Sequence, residues 1–161
     1  PTLKQGFTCH VCLLRPESRG EVRLNPENAF GKPLITYGFL KEESDKKALI
    51  NGIKKAFEIL KQPALSKHQG GFIFPSPELS DDQLLKQIKS KCGLIYHPTG
   101  TCKMGPENDN DAVVSPELKV KGVERLRVVD ASIMPRVISG NTNAPTIAIA
   151  EKGADLIKAD A

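Results

Sequence analysis

Apolar residues change their spacing along this chain, and the changes outline its elements. "GFTCHVCLLRP" is rich in β-forming residues and is bounded by Gly6 and Pro16, which predicts a strand over residues 7–14. "SRG" makes a turn. "EVRLN" then reads as a second strand, with Val22 and Leu24 on one face and Asn25-Pro26 as its end. "PLITYGF" predicts a third short strand. The gaps between these segments are too short for helical crossovers, so the sheet is expected to be antiparallel.

The spacing then becomes helical. Leu49, Ile53, Ala56, Phe57 and Leu60 form one stripe at i, i+4, i+7, i+8 and i+11, which predicts a helix over residues 41–61, stopped by Pro63. "KHQGGFIFPSP" reads as loop. Ser80 and Gln83 have the spacing of a capping box, opening a second helix that buries Leu84, Leu85 and Ile88. A polar loop precedes "LRVVD", which reads as a compact buried strand ending on an acid. The turn-rich "VISGNTNAPT" leads into a last helix from about Pro145 to Lys158. Ile147, Ala150, Ala154 and Ile157 are expected to line one side of it, with Glu151 and Lys152 facing out. The order predicts an α+β fold, an antiparallel sheet with helices packed on one side, in a single domain over residues 1–161 without internal repeats.

Composition narrows the function classes. The chain has 161 residues, 39% hydrophobic and 26% charged, enough for a real core. Its net charge of +4 is spread among acids, as in "KEESDKK", with no basic stripe interleaved with aromatics, so nucleic-acid binding is not expected. No apolar run approaches the roughly 20 residues a transmembrane helix needs. "PTLKQG" is neither a signal nor a transit peptide and does not begin with methionine, which suggests a processed product or a piece of something longer. Cysteines at 9, 12, 92 and 102 are too sparse for a disulfide scaffold and read as reduced thiols of a cytoplasmic protein.

Three clusters could carry chemistry. Cys9-His10-Val11-Cys12 is a C-x-x-C, but no second pair completes a zinc site, and on a strand its cysteines would face opposite ways. No metal site is expected; a zinc or redox reading would predict bound metal. His97, in "LIYHPTGTCKMG", is kept from helical angles by Pro98. Gly100 and Gly105 permit positive φ or close backbone approach. A lone histidine in such a loop is by default bonded to its own loop. The third cluster, "VVDASIMPRVISGNTNAPTIAIAEKGADLI", puts Asp130 after the expected strand, and Asn141 and Asn143 before a helix with Pro145 in its first turn. Asn143 or its neighbour can cap that helix, whose free N–H groups favour an anion such as a phosphate or a reduced flavin.

"YHPTGTCKMG", "KGVERLRVVDASIMP" and "SGNTNAPTIAIAEKGADLI", with "LLRPESRGEVRLN" upstream, together resemble the carboxy-terminal part of the glucose-methanol-choline oxidoreductases, most closely the choline and alcohol dehydrogenase branch. The resemblance covers nearly the whole chain. It implies that His97 is the active-site histidine and Asn141 the second active-site position. It also implies that Asp130, Ala131, Asn143, Ala144 and, more weakly, Tyr96 lie against FAD. The implied partners are a small alcohol substrate and an amino-terminal FAD-binding domain of the same parent chain. The glycine-rich G-x-G-x-x-G turn of that domain is absent from this sequence. The chain alone is therefore expected to be inactive and to bind FAD weakly or not at all. Peripheral membrane association is compatible with the family. A different class of function is a stand-alone ligand-binding or interaction module without redox activity.

Overall fold

The structure, a computed structural model, describes residues 6–160. Its elements are strands β1 (Glu21–Arg23) and β2 (Leu34–Thr36), helices α1 (Glu43–Leu60), α2 (Pro63–Ser66) and α3 (Asp81–Lys91), a 3-10 turn at Ala131–Ile133, and helix α4 (Asn143–Ala159). The fold class is α+β, as expected. The described residues form two compact units. One combines the chain up to Gly20 with Tyr37–Gly93; the other combines Glu21–Thr36 with the chain from Leu94 onward.

In the first unit α1 and α3 do most of the building. Leu40, Leu49, Ile50, Leu84 and Ile88 are buried together, with Ile53, Leu79, Leu85 and Cys92 packed against them. This is largely the stripe the spacing predicts, widened by Ile50. The capping box of α3 is present: Ser80 Oγ accepts from the Gln83 amide at 3.3 Å, and Gln83 Oε1 accepts from the Ser80 amide at 3.0 Å. Pro63 does not simply end α1; it opens the short α2, where its missing N–H costs nothing.

Residues 7–14 are not a strand. Val11 and Leu13 pack against the helical core instead of entering a ladder. Gly52 of α1 allows this, since a Cβ there would lie 2.8 Å from Val11 Cγ1. Cys9 and Cys12 sit on exposed coil, so strand alternation says nothing about where they point. Among the described residues no His, Cys, Asp or Glu cluster could hold a metal.

The turn after this coil is clamped to the start of α1. Asp45, 3% exposed, accepts from the amides of Glu17 at 2.9 Å and Ser18 at 2.8 Å. Ser18 Oγ in turn accepts from the Glu42 amide at 3.1 Å. Burial pushes the Asp45 carboxyl up, but hydrogen bonds from Ser18 and Glu17 and the nearby Arg19 outweigh it and hold it below its ordinary value.

In the second unit β1 and β2 pair antiparallel, with Val22 opposite Ile35. Asn25 and Asn28 close the connection, their side chains accepting from the amides of Glu27 and Phe30 at 3.0 and 3.1 Å. A separate core gathers Val114, Leu118 and Ile133, covered by Met104, Val120, Val128, Val129, Ile149 and Leu156. Here "LRVVD" is not a strand. It makes one antiparallel bridge, Arg127 to Lys119, and gives its half-buried valines to this core. Lys121 ties the preceding polar loop down, its ammonium donating to the carbonyls of Pro106 at 2.7 Å and Asp109 at 3.0 Å.

Helix α4 begins at Asn143, two residues before Pro145, and buries a different face from the one expected. Ile147 and Ile157 are about half exposed, and Ala150 and Ala154 are exposed too. Ile149, Gly153 and Leu156 face inward instead. Gly153 sets this choice: it lies so close to Val129 that a Cβ would be 2.3 Å from Val129 Cγ1. Among the described residues, no helix is long and apolar enough to cross a membrane.

Candidate functional site

His97 stands on the coil that follows Leu94, between Tyr96 at φ 63° and Pro98. A left-handed conformation is uncommon for an aromatic residue and marks a backbone held by its surroundings. Gly100 follows at φ 90°, where a side chain would be strained. From there the loop is stitched to the 3-10 turn. The Cys102 amide donates to Ser132 O at 3.0 Å, and the Met104 amide donates to Ile133 O at 2.8 Å. Gly105 meets the other expectation for this loop, close approach: a Cβ there would lie 2.9 Å from Ala112 Cβ.

Two segments thus converge, and the histidine ring joins them to a third. His97 Nδ1 lies 3.1 Å from Thr142 Oγ1, across forty-five residues of sequence. Thr142 is the last residue before α4 and is 8% exposed. Among the described residues nothing is bonded to His97 Nε2, and the residue is half-buried. One ring nitrogen is therefore engaged and the other has no protein partner among the described residues.

Asn141 adjoins Thr142 and is exposed, as are Asn143 and Ala144. Neither asparagine caps the helix: Thr142 occupies that position, and its hydroxyl makes no capping bond. Pro145 has no N–H to satisfy. The amides of Asn143 and Ala144 are thus left at an uncapped helix N-terminus, which favours negative charge. Asp130 is exposed, but its carboxylate accepts from the Ser132 amide at 2.7 Å and from the Ser132 hydroxyl, holding the 3-10 turn that contains Ala131. Tyr96 is 87% exposed. The structure links His97 to the 141–144 turn through Thr142 and fixes Asp130 and Ala131 beside the loop that carries His97. Thr142 is the residue that spacing and composition left unremarked. The only signal for it was a β-branched hydroxyl residue three positions ahead of the predicted helix start at about Pro145.

A family model described as GMC oxidoreductase matches residues 16–150. An alcohol dehydrogenase [acceptor] from Pseudomonas putida is 46% identical over 153 residues, covering 94% of this chain and 27% of the relative. An oxygen-dependent choline dehydrogenase from Klebsiella pneumoniae is 45% identical over 156 residues, covering 96% of this chain and 28% of the relative. Among solved structures, a formate oxidase from Aspergillus oryzae, in a variant made to probe FAD modification, matches with a TM-score of 0.81 and 33% identity, over 92% of this chain and 26% of its own. The chain thus spans little more than a quarter of the length of these relatives.

Proposed function

The chain belongs to the GMC oxidoreductases, and we propose that it forms the carboxy-terminal, substrate-side part of an FAD-dependent dehydrogenase that oxidises a CH–OH group of an alcohol, choline included. The observation that carries this reading is the His97–Thr142 bond, which brings an imidazole with one free nitrogen to the turn bearing Asn141.

Oxidising an alcohol removes a hydride from carbon and a proton from oxygen. His97 accepts the proton at Nε2, the ring nitrogen with no hydrogen-bond partner among the described residues. The exposed amide of Asn141 donates to the substrate oxygen, holding it in line and stabilising the charge that develops on it.

The residues fit FAD on structural grounds. The uncapped N-terminus of α4 offers the amides of Asn143 and Ala144 to an electron-rich ring, and these two residues are exposed together with Tyr96. When bound, FAD supplies the hydride acceptor. Asp130 and Ala131 complete the set from the 3-10 turn. Most of the cofactor would be held by an amino-terminal FAD-binding domain of the parent chain.

The test is His97→Ala in the full-length parent enzyme. Turnover is expected to fall by about 10²-fold or more, the scale of a lost acid–base group, with flavin absorbance retained. Near-parental turnover would show that another group takes the proton.

A further inference from the structure

We infer that Thr142 is a positioning residue for His97: its hydroxyl accepts the Nδ1–H bond, leaving Nε2 unprotonated and ready to receive the substrate proton. This rests on the reading of His97 as proton acceptor and adds to it what keeps the ring in the competent form.

The first support is geometric. Nδ1 and Oγ1 are 3.1 Å apart, a hydrogen-bond distance, with Thr142 only 8% exposed. A part-buried bond of this kind fixes the plane of the ring as well as one of its nitrogens.

The second support is what Thr142 does not do. Threonine before a helix ordinarily turns its hydroxyl to the free N–H groups of the first turn. Thr142 precedes the 17-residue α4 and makes no such bond. Its backbone sits at φ −87° and ψ −4°, the sparsely populated bridge region where active-site residues recur. The carbonyl is held from the helix, accepting from the Thr146 amide at 3.0 Å and the Thr146 hydroxyl at 2.6 Å. The hydroxyl is thus withdrawn from capping and given to the histidine by a residue whose backbone the helix fixes and whose β-branch stiffens its side chain.

The direction of the bond follows from the proton balance. If Thr142 donated to Nδ1, Nε2 would carry the ring's hydrogen and could not accept another. With Nδ1–H donating to Oγ1, Nε2 has a free lone pair. When the alcohol proton arrives there, the ring becomes an imidazolium and the same Nδ1–H bond persists, now charge-assisted. No rearrangement is needed in the step.

The experiment is steady-state kinetics on the full-length flavoenzyme carrying Thr142→Val, which keeps the shape and removes the hydroxyl, and Thr142→Ser, which keeps the hydroxyl. The valine variant is expected to lose about tenfold in kcat, with KM and flavin absorbance close to parental. The serine variant should recover kcat to within about twofold of the parent. In a His97→Ala background the valine change should leave the residual rate unaltered, because the bond it removes is already gone. A valine variant with parental kcat, a serine variant as impaired as valine, or a valine effect that persists without His97 would each overturn the inference. Parental turnover in His97→Ala alone would instead overturn the reading beneath it. Should the valine variant lose its flavin, Thr142→Ala with the same serine control carries the same expectations.

Discussion

In the unit built on α1 and α3, Leu40, Leu49, Ile50, Leu84 and Ile88 meet because two amphipathic helices carry four of them to one place. In the unit that holds His97, Val114, Leu118 and Ile133 meet along residues 104–134, where regular structure amounts to isolated bridges and one 3-10 turn. The backbone of that second unit is held in costly conformations, with Tyr96, Leu118, Arg125 and Ser139 all at positive φ. The first unit has one such residue, Leu40, among those described. The helical unit thus depends mainly on side-chain volume. The other depends on backbone placement, and it contains the residues proposed to react.

That contrast can be broken by core truncation. Leu84→Ala, at a position 2% exposed between two helices, is expected to cost about 2–5 kcal/mol. Val114→Ala, at 0% exposure, removes less and is expected to cost about 1–3 kcal/mol, from roughly 0.8 kcal/mol per buried methylene plus a small cavity. Hydrogen exchange of the amides in α1 and in residues 112–120 would measure both. An equal cost at the two sites would mean that the loop-built core relies on volume as much as the helical one.

Asp45 sharpens the same comparison, because it is where the helical unit itself holds irregular chain. Asp45→Asn leaves one of the two turn amides facing an N–H group, and is expected to cost about 1–3 kcal/mol at neutral pH. The wild-type carboxyl is depressed in the folded state, so its charged form is the stabilising one. That contribution is complete above the ordinary value of 3.8 and is lost as pH falls below it through the folded value. Acid unfolding of the wild type should therefore steepen below about pH 4, and Asp45→Asn should flatten that part of the profile. A variant with the wild-type acid profile would remove Asp45 from the account.

How much was legible in the sequence follows the same division. The helix over 41–61 and the capping box at Ser80 could be read because helical period and capping are local, and both are present. The strand over 7–14 could not, because β-forming residues say nothing about whether a ladder partner exists, and Val11 packs at Gly52 on the face of α1 instead. "LRVVD" misled for a similar reason: its valines are buried, but by a core assembled from distant turns. His97 and Asn141 were singled out through family resemblance, and their roles are proposals. Thr142 was not, since its importance lies in a contact forty-five residues away. The stripe on α4 was assigned to the wrong side because periodicity finds an apolar face without saying what covers it, and Gly153 was the overlooked sign of close packing.

Gly153 also gives the smallest and most diagnostic effect. In an ordinary helix interior, Gly→Ala stabilises by about 1 kcal/mol. Here the new methyl would meet Val129 at both branches, 2.3 Å from Cγ1 and 3.2 Å from Cγ2. Val129 is β-branched and packed against the Val114 core, so it has little freedom to turn away. Overpacking of this kind costs about 1–3 kcal/mol. The two terms oppose, and Gly153→Ala is expected to destabilise by a net of about 0–2 kcal/mol instead of stabilising. The decisive measurement is a double-mutant cycle with Val129→Ala, read by thermal or denaturant unfolding. Once the valine branches are gone, Gly153→Ala should become stabilising by most of its helical gain. If it stabilises equally with Val129 intact, then α4 can shift outward at no cost, and close backbone approach is not what seats this helix on the core.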